Sequence, residues 1–260
     1  VSAHTTILHT MKLSCLNNVK RQNASQRPPV PPAVVLLDAV VDRSGSMGNL
    51  AGVPDTGIRD FIAQHKKLPK KTKVRFSLTT FDNTAQTYYD AVDLHTMADI
   101  SAEKMQEMVQ PRGTTLLVDT VMKRLHSLER QLAKEIALIQ PSVIQLKPKI
   151  VAILVVLTDG ADNESRLFTA NDLNKRITAA RKKGISVVFL AANQDAIKTG
   201  ATFGVQRGAA LTFGANPAAA TAAFASVTQN VYRCASGGAA YVPAFTQLQR
   251  DSSAAHSAPA

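Results

Sequence analysis

The 260-residue chain is 45% hydrophobic, enough for one substantial core, and holds no run near the ~18 uncharged apolar residues that a membrane span needs. Its formal net charge of +11 favours acidic partners, but with 5% aromatics and no Trp it has no stacking platform for specific nucleic-acid recognition. Its two cysteines, Cys15 and Cys234, form neither a disulfide framework nor a zinc spacing.

Residues 1–32 carry Lys12, Lys20, Arg21 and Arg27 with no acidic residue and end in PPVPP, which predicts a basic, Pro-rich arm. Residues 34–41 are a β-branched, nearly continuous apolar run, the pattern of a strand buried on both faces. Ile58, Phe61, Ile62 and His65 fall at helical spacing, predicting a helix over 56–67. A basic run follows over 66–75 (KKLPKKTKVR), then a strand over 74–81 and a short edge strand over 88–94. Residues 116–139 read as a long amphipathic helix closing before Pro141, and 140–149 as a Pro-containing insertion. A second buried strand spans 150–157. A helix over 170–183 ends at Gly184, and a strand over 185–191 follows. A short helix over 194–203, a strand near 210–213 and a helix over 217–231 complete the body, with Asn216 and Pro217 suited to N-cap and first turn. The Ala-, Ser- and Gly-rich stretch 236–260 reads as a loose tail whose residues 241–245 could dock on the body. The alternation predicts one α/β domain over 33–235: a doubly wound, mostly parallel sheet, helices on both faces and one short antiparallel edge strand.

In such sheets ligands bind beyond the carboxyl ends of the strands. The first buried strand runs into Asp42-Arg43-Ser44-Gly45-Ser46, and the second into Thr158-Asp159-Gly160. A carboxylate and two hydroxyls in one tight loop, with no sulfur or imidazole nearby, suit Mg²⁺, Mn²⁺ or Ca²⁺ rather than zinc or copper. Gly45 is expected to let the loop turn so that both hydroxyls face one point.

The loop Asp42–Ser46 resembles the D-x-S-x-S signature of the metal-ion-dependent adhesion site of von Willebrand factor type A domains. Pro111-Arg112-Gly113-Thr114-Thr115-Leu116-Leu117-Val118-Asp119 resembles that family's second loop, P-R-G-x-T-x-L-x-D, and Thr158-Asp159-Gly160 its third. The three occur in family order, and the likeness runs from about residue 33 to 236. The stretch FLAANQD and the elements after it are similar to compact single-domain members from bacteria and phages. The resemblance implies a Rossmann-like fold and metal-binding positions at Asp42, Ser44, Ser46, Thr115 and Asp159, the last directly or through water. A simple G-T reading selects Thr114 instead; alignment on Gly113 and Asp119 selects Thr115, because Leu117 then also matches. Either threonine could instead cap the helix that follows.

The function this implies is recognition of a protein partner that presents a carboxylate to the cation, without catalysis. A hydrolase needs a base or a second metal. His65 and His126 fall within expected helices, His95 in a loop, and Glu164 reads as a loop or capping residue. No P-loop, HExxH or G-x-S-x-G is present, and Gly200-x-x-x-Gly204 is a chance pattern. The alternative is a structural subunit of a virion or other multi-protein particle, gripping neighbours through its arm and tail. The opening residues lack a secretory plan, Met11 is a candidate start, and the two cysteines suit a reducing, intracellular compartment.

Overall fold

The computed structural model describes residues 33–50, 52–138, 149–159, 162–192, 195–236 and 242–254. The basic arm, Cys15 and nearly all of the 140–149 insertion lie outside them. Six strands make one sheet in the order β3-β2-β1-β4-β5-β6: β1 Val34–Asp42, β2 Lys73–Phe81, β3 Ala85–Asp93, β4 Ile150–Thr158, β5 Ile185–Ala192 and β6 Ala210–Phe213. All neighbours pair in parallel except β3, which runs antiparallel to β2 at the edge. That edge strand is nine residues long, longer than the 88–94 read from sequence. Its first half (AQT) is exposed and polar, so it carries no apolar alternation.

β1 is central and buried at every position. Its odd residues Val35, Leu37, Ala39 and Val41 pack with Ile58 and Phe61 of α1 (Val53–Lys66) and Val227 and Val231 of α6 (Pro217–Ala235). Its even residues Val34, Leu36 and Val40 pack with Val118 and Leu125 of α3 (Leu117–Leu138) and Leu173 and Ile177 of α4 (Ala170–Lys182). The period of two thus divides one strand between two cores. Asp38, on the even face, is buried, and there it pairs with Arg124 of α3 at 2.7 Å.

The capping residues act locally as their chemistry requires. Thr169 and Asp172 form a reciprocal capping box at α4, and Asn216 accepts from the Ala219 N–H at the start of α6. Asp195 caps α5 (Ala196–Thr202).

Two helices are absent from the sequence-based expectation. α2 (Ala102–Met108) is seven residues long with two buried anchors, Met105 and Met108, too short to show a period. α7 (Gln247–Ala254) lies in the stretch read as a loose tail. It buries polar groups, Gln249 and Ser253, rather than an apolar stripe. Gln249 donates to the Gln229 side chain at 2.9 Å, Arg250 donates to the Ala210 carbonyl at 2.8 Å, and the Ser253 carbonyl accepts from the Gly214 N–H at 3.1 Å. Phe245, just before it, is buried against the body.

Candidate metal centre

β1, β2 and β4 run parallel and end side by side, which brings the loops after them to one rim. Asp42 closes β1 and is fully buried. One of its carboxylate oxygens accepts the Ser44 N–H at 2.7 Å, and the other accepts the Thr158 hydroxyl at 2.6 Å. Beyond it a polar chain runs outward: the Ser44 and Ser46 hydroxyls are 3.1 Å apart, and Ser46 donates to Asp159 at 2.8 Å. Asp42, Ser44, Ser46 and Asp159 therefore share one hydrogen-bonded cluster.

Thr115 is buried, and its loop is bound to the other two through backbone. The Gly45 N–H donates to the Gly113 carbonyl at 3.1 Å and the Arg112 N–H to the Arg43 carbonyl at 2.7 Å. Thr115 donates its N–H to the Asn163 side chain at 2.8 Å, and its carbonyl accepts the N–H groups of Asn163 and Glu164. The exposed Thr114 instead gives its hydroxyl to Glu164 at 3.2 Å. Neither threonine caps α3. The Val118 and Asp119 N–H groups are taken by Asp162 and Ser165, so the helix is capped from the loop after β4. Asp119 returns the connection, its carboxylate accepting the N–H groups of Arg166, Leu167 and Phe168 at 3.0–3.2 Å.

The glycine that this junction requires is Gly113, not Gly45. Gly113 has φ +67°, and an added Cβ would lie 2.8 Å from the Asn83 side-chain oxygen. Gly45 is absent from the left-handed positions, and an added Cβ there would meet the Gly113 carbonyl oxygen at 3.4 Å, near ordinary contact.

The electrostatics separate Asp42 from Asp38 and Asp82, and from the buried Asp119, whose carboxylate has no ion pair among the described residues but accepts three backbone N–H groups. Asp38 has Arg124. Asp82, after β2, is clasped by Arg43 at 2.9 Å and Arg112 at 2.7 Å. Burial opposes its ionisation, but Arg112, Thr84 and Arg43 together hold it below the usual carboxylate range. Arg43, although next to Asp42, turns away and also donates to the Tyr88 hydroxyl and the Met108 carbonyl. Among the described residues Asp42 has no ion pair. Burial pushes its carboxyl up to about 6 against the Thr158 and Ser44 hydrogen bonds, and Asp159 adds like charge.

A buried carboxylate without a cation, beside a second carboxylate and converging hydroxyls, is a donor set that fits a hard divalent ion. The motif reading did not find Asp82, Asp162, Asn163 or Ser165, which join the loops. The Arg in each of the first two motifs was the available signal for Asp82.

The histidine candidates lie elsewhere. His65 bonds the Phe61 carbonyl and His95 the Thr72 carbonyl, and His126 is exposed on α3. Among the described residues no histidine hydrogen-bonds to the three loops. Glu164 is held by Thr114 and Arg166. Gly200 and Gly204 belong to the end of α5, where Gly204 turns the chain at φ +83°.

The family model for the von Willebrand factor type A domain matches residues 36–203. Among solved structures, the pilus adhesin SpaC from Lactobacillus rhamnosus GG is 13% identical with a TM-score of 0.51, over 79% of this chain and 31% of that one. The vWF domain of the type V pili tip protein Mfa5 from Porphyromonas gingivalis is 13% identical with a TM-score of 0.49, over 77% and 96%. Proximal thread matrix protein 1 from the mussel byssus is 15% identical with a TM-score of 0.46, over 78% and 46%. The match thus spans less than half the length of the mussel protein. No curated protein matches the chain. At these identities the likeness is one of fold.

Proposed function

The chain belongs to the von Willebrand factor type A domain family, and from that premise we propose that it is a non-catalytic binding module whose Asp42 rim takes a divalent cation and, through it, a carboxylate of a protein partner. The observation that carries this reading is the Asp42 carboxylate, buried without a cationic partner among the described residues and adjoining the Ser44, Ser46 and Asp159 cluster, while Asp38 and Asp82 each have an arginine and Asp119 is satisfied by three backbone N–H groups. Asp42, Ser44, Ser46, Thr115 and Asp159 are the residues we assign to hold the ion. All five are oxygen donors, which favours Mg²⁺, with Mn²⁺ and Ca²⁺ as substitutes.

A bound cation supplies charge balance for the two carboxylates and an open position for an outside oxygen ligand. The chain's own groups do the rest. Thr158 and the Ser44 N–H each hold one oxygen of the Asp42 carboxylate and so fix its orientation. Asn163 and Asp119 lock the second and third loops together, so the donors are positioned before any ligand arrives. The net charge of +11 speeds approach of an acidic partner. Binding rather than hydrolysis is favoured because the nearest candidate base, Glu164, is committed to Thr114 and Arg166.

The test uses a fluorescent peptide bearing one aspartate, titrated with the full chain in Mg²⁺ and again after EDTA. Loss of binding on chelation supports the reading. An affinity unchanged by EDTA would sink it.

A further inference from the structure

Beside the metal loops lies a second concave feature that the motif does not contain. A groove of about 330 Å³ opens between the 3₁₀ turn Gly45–Leu50, the start of α1 and helix α2. Two of its lining residues join it to the metal rim. Met47 directly follows Ser46, and Pro111 stands two residues before Gly113, whose carbonyl receives the Gly45 N–H. Its floor is apolar, formed by Leu50, Pro54 and Val109.

The charge of this groove opposes that of the whole chain. Every ionisable residue lining it is acidic: Asp55, Glu103 and Glu107. Glu107 is partly neutralised by Lys104 at 2.8 Å. Asp55 and Glu103 have no ion pair among the described residues. Its own backbone N–H, the Ser101 hydroxyl at the start of α2 and the nearby charge of Arg59 hold the Glu103 carboxyl below the usual carboxylate range. A chain of +11 that lines an apolar trough with three carboxylates and no basic side chain presents a seat for a cation on an aliphatic stem.

We infer that this groove receives a lysine or arginine side chain of the same partner whose acidic residue reaches the Asp42 rim, so that the module recognises an acidic and a basic residue held close together. This inference rests on the metal reading above. The methylene stem lies on Leu50, Pro54 and Val109, and the head meets Asp55 and Glu103. The acidic groove would repel a partner carrying only negative charge, so the pair of sites selects a dipolar surface and not any acidic one.

The two readings are separated by a ¹⁵N-resolved NMR titration of the full chain with three probes: Mg²⁺ alone, N-acetyl-arginine amide, and N-acetyl-glutamate amide. The inference expects the arginine probe to shift the amides of Asp55, Glu103 and Leu50, with or without Mg²⁺. The glutamate probe should leave those amides unmoved. In Asp55→Asn/Glu103→Gln, both partly or fully solvent-exposed substitutions, the affinity for the arginine probe should fall at least fivefold while the Mg²⁺ response at Ser44 and Ser46 persists. A wild-type chain that responds to Mg²⁺ but shows no groove shifts with the arginine probe overturns the inference and leaves the metal reading standing. Groove shifts without any Mg²⁺ response overturn the metal reading and leave the groove as a basic-side-chain site. Equal shifts from the glutamate probe also overturn the inference, because the groove would then lack charge selectivity.

Discussion

Asp119→Asn tests whether the loops are rigidly joined before a ligand arrives. The Asp119 side chain is 3% exposed and accepts three backbone N–H groups from Arg166, Leu167 and Phe168. Asparagine keeps one acceptor oxygen but replaces the other with an amide that faces N–H donors. Breaking a hydrogen bond to a charged group costs ~1.5–3 kcal/mol, and the negative charge also sits favourably in the first turn of α3, worth about 0.5 kcal/mol. With one acceptor retained, the expected loss is about 2–4 kcal/mol. Urea unfolding at pH 7 reads it, with Asp60→Asn on the exposed face of α1 as the silent control. Because the same contacts hold the segment that follows Asp159, Mg²⁺ affinity should fall at least tenfold in calorimetry. A variant within about 0.5 kcal/mol of wild type and with unchanged Mg²⁺ affinity would refute the reasoning.

Other perturbations follow from single contacts. Gly57→Ala would place a Cβ 2.5 Å from the Phe224 ring, where α1 meets α6. It should destabilise by ~1–3 kcal/mol despite the better helix propensity of alanine, and a raised thermal midpoint would contradict the packing. Arg124→Met strands the buried Asp38 carboxylate and should cost about 3 kcal/mol, whereas Asp38→Leu/Arg124→Met should recover most of it; equal losses in the two variants would show that the pair is not the cause. Burial lowers His65 from 6.5 to about 4, opposed by its bond to the Phe61 carbonyl. Between those pH values the unfolded chain binds the extra proton, so this histidine's contribution is complete above pH 6.5 and lost on the way to pH 4, by roughly 3 kcal/mol. The stability difference between wild type and His65→Leu should shrink by that amount from pH 7 to pH 4, and a pH-independent difference would reject the assignment. Asp38, raised to about 6 mainly by burial, works in the opposite direction over the same range and cancels in that comparison.

The sheet was legible because β4 is a continuous apolar run and β1 one broken only by Asp38, and a strand buried on both faces has few other sequence patterns. The grouping of Asp42, Ser44 and Ser46 in one hydrogen-bonded cluster was legible because they come from five consecutive residues. The residues that bind the loops to one another were not. Arg43 and Asp82 are 39 positions apart, Thr115 and Asn163 are 48 apart, and only the parallel pairing of β1 with β2 and β4 makes them neighbours. The cap of α3 was not legible for the same reason: local chemistry offers only Thr114 and Thr115 as alternatives, while the fold supplies Asp162 and Ser165. α7 escaped notice because it is fastened through Gln249, Arg250 and Ser253, and polar anchors leave no hydrophobic period to read.

Everything proposed for this chain's binding depends on a divalent cation at the Asp42 rim. A crystal grown in Mn²⁺ and measured for anomalous scattering tests it most directly. One strong peak is expected among the Asp42, Ser44, Ser46, Thr115 and Asp159 oxygens, with its loss in Asp42→Asn. A wild-type crystal with no peak at that rim, or a peak that survives in Asp42→Asn, would contradict it.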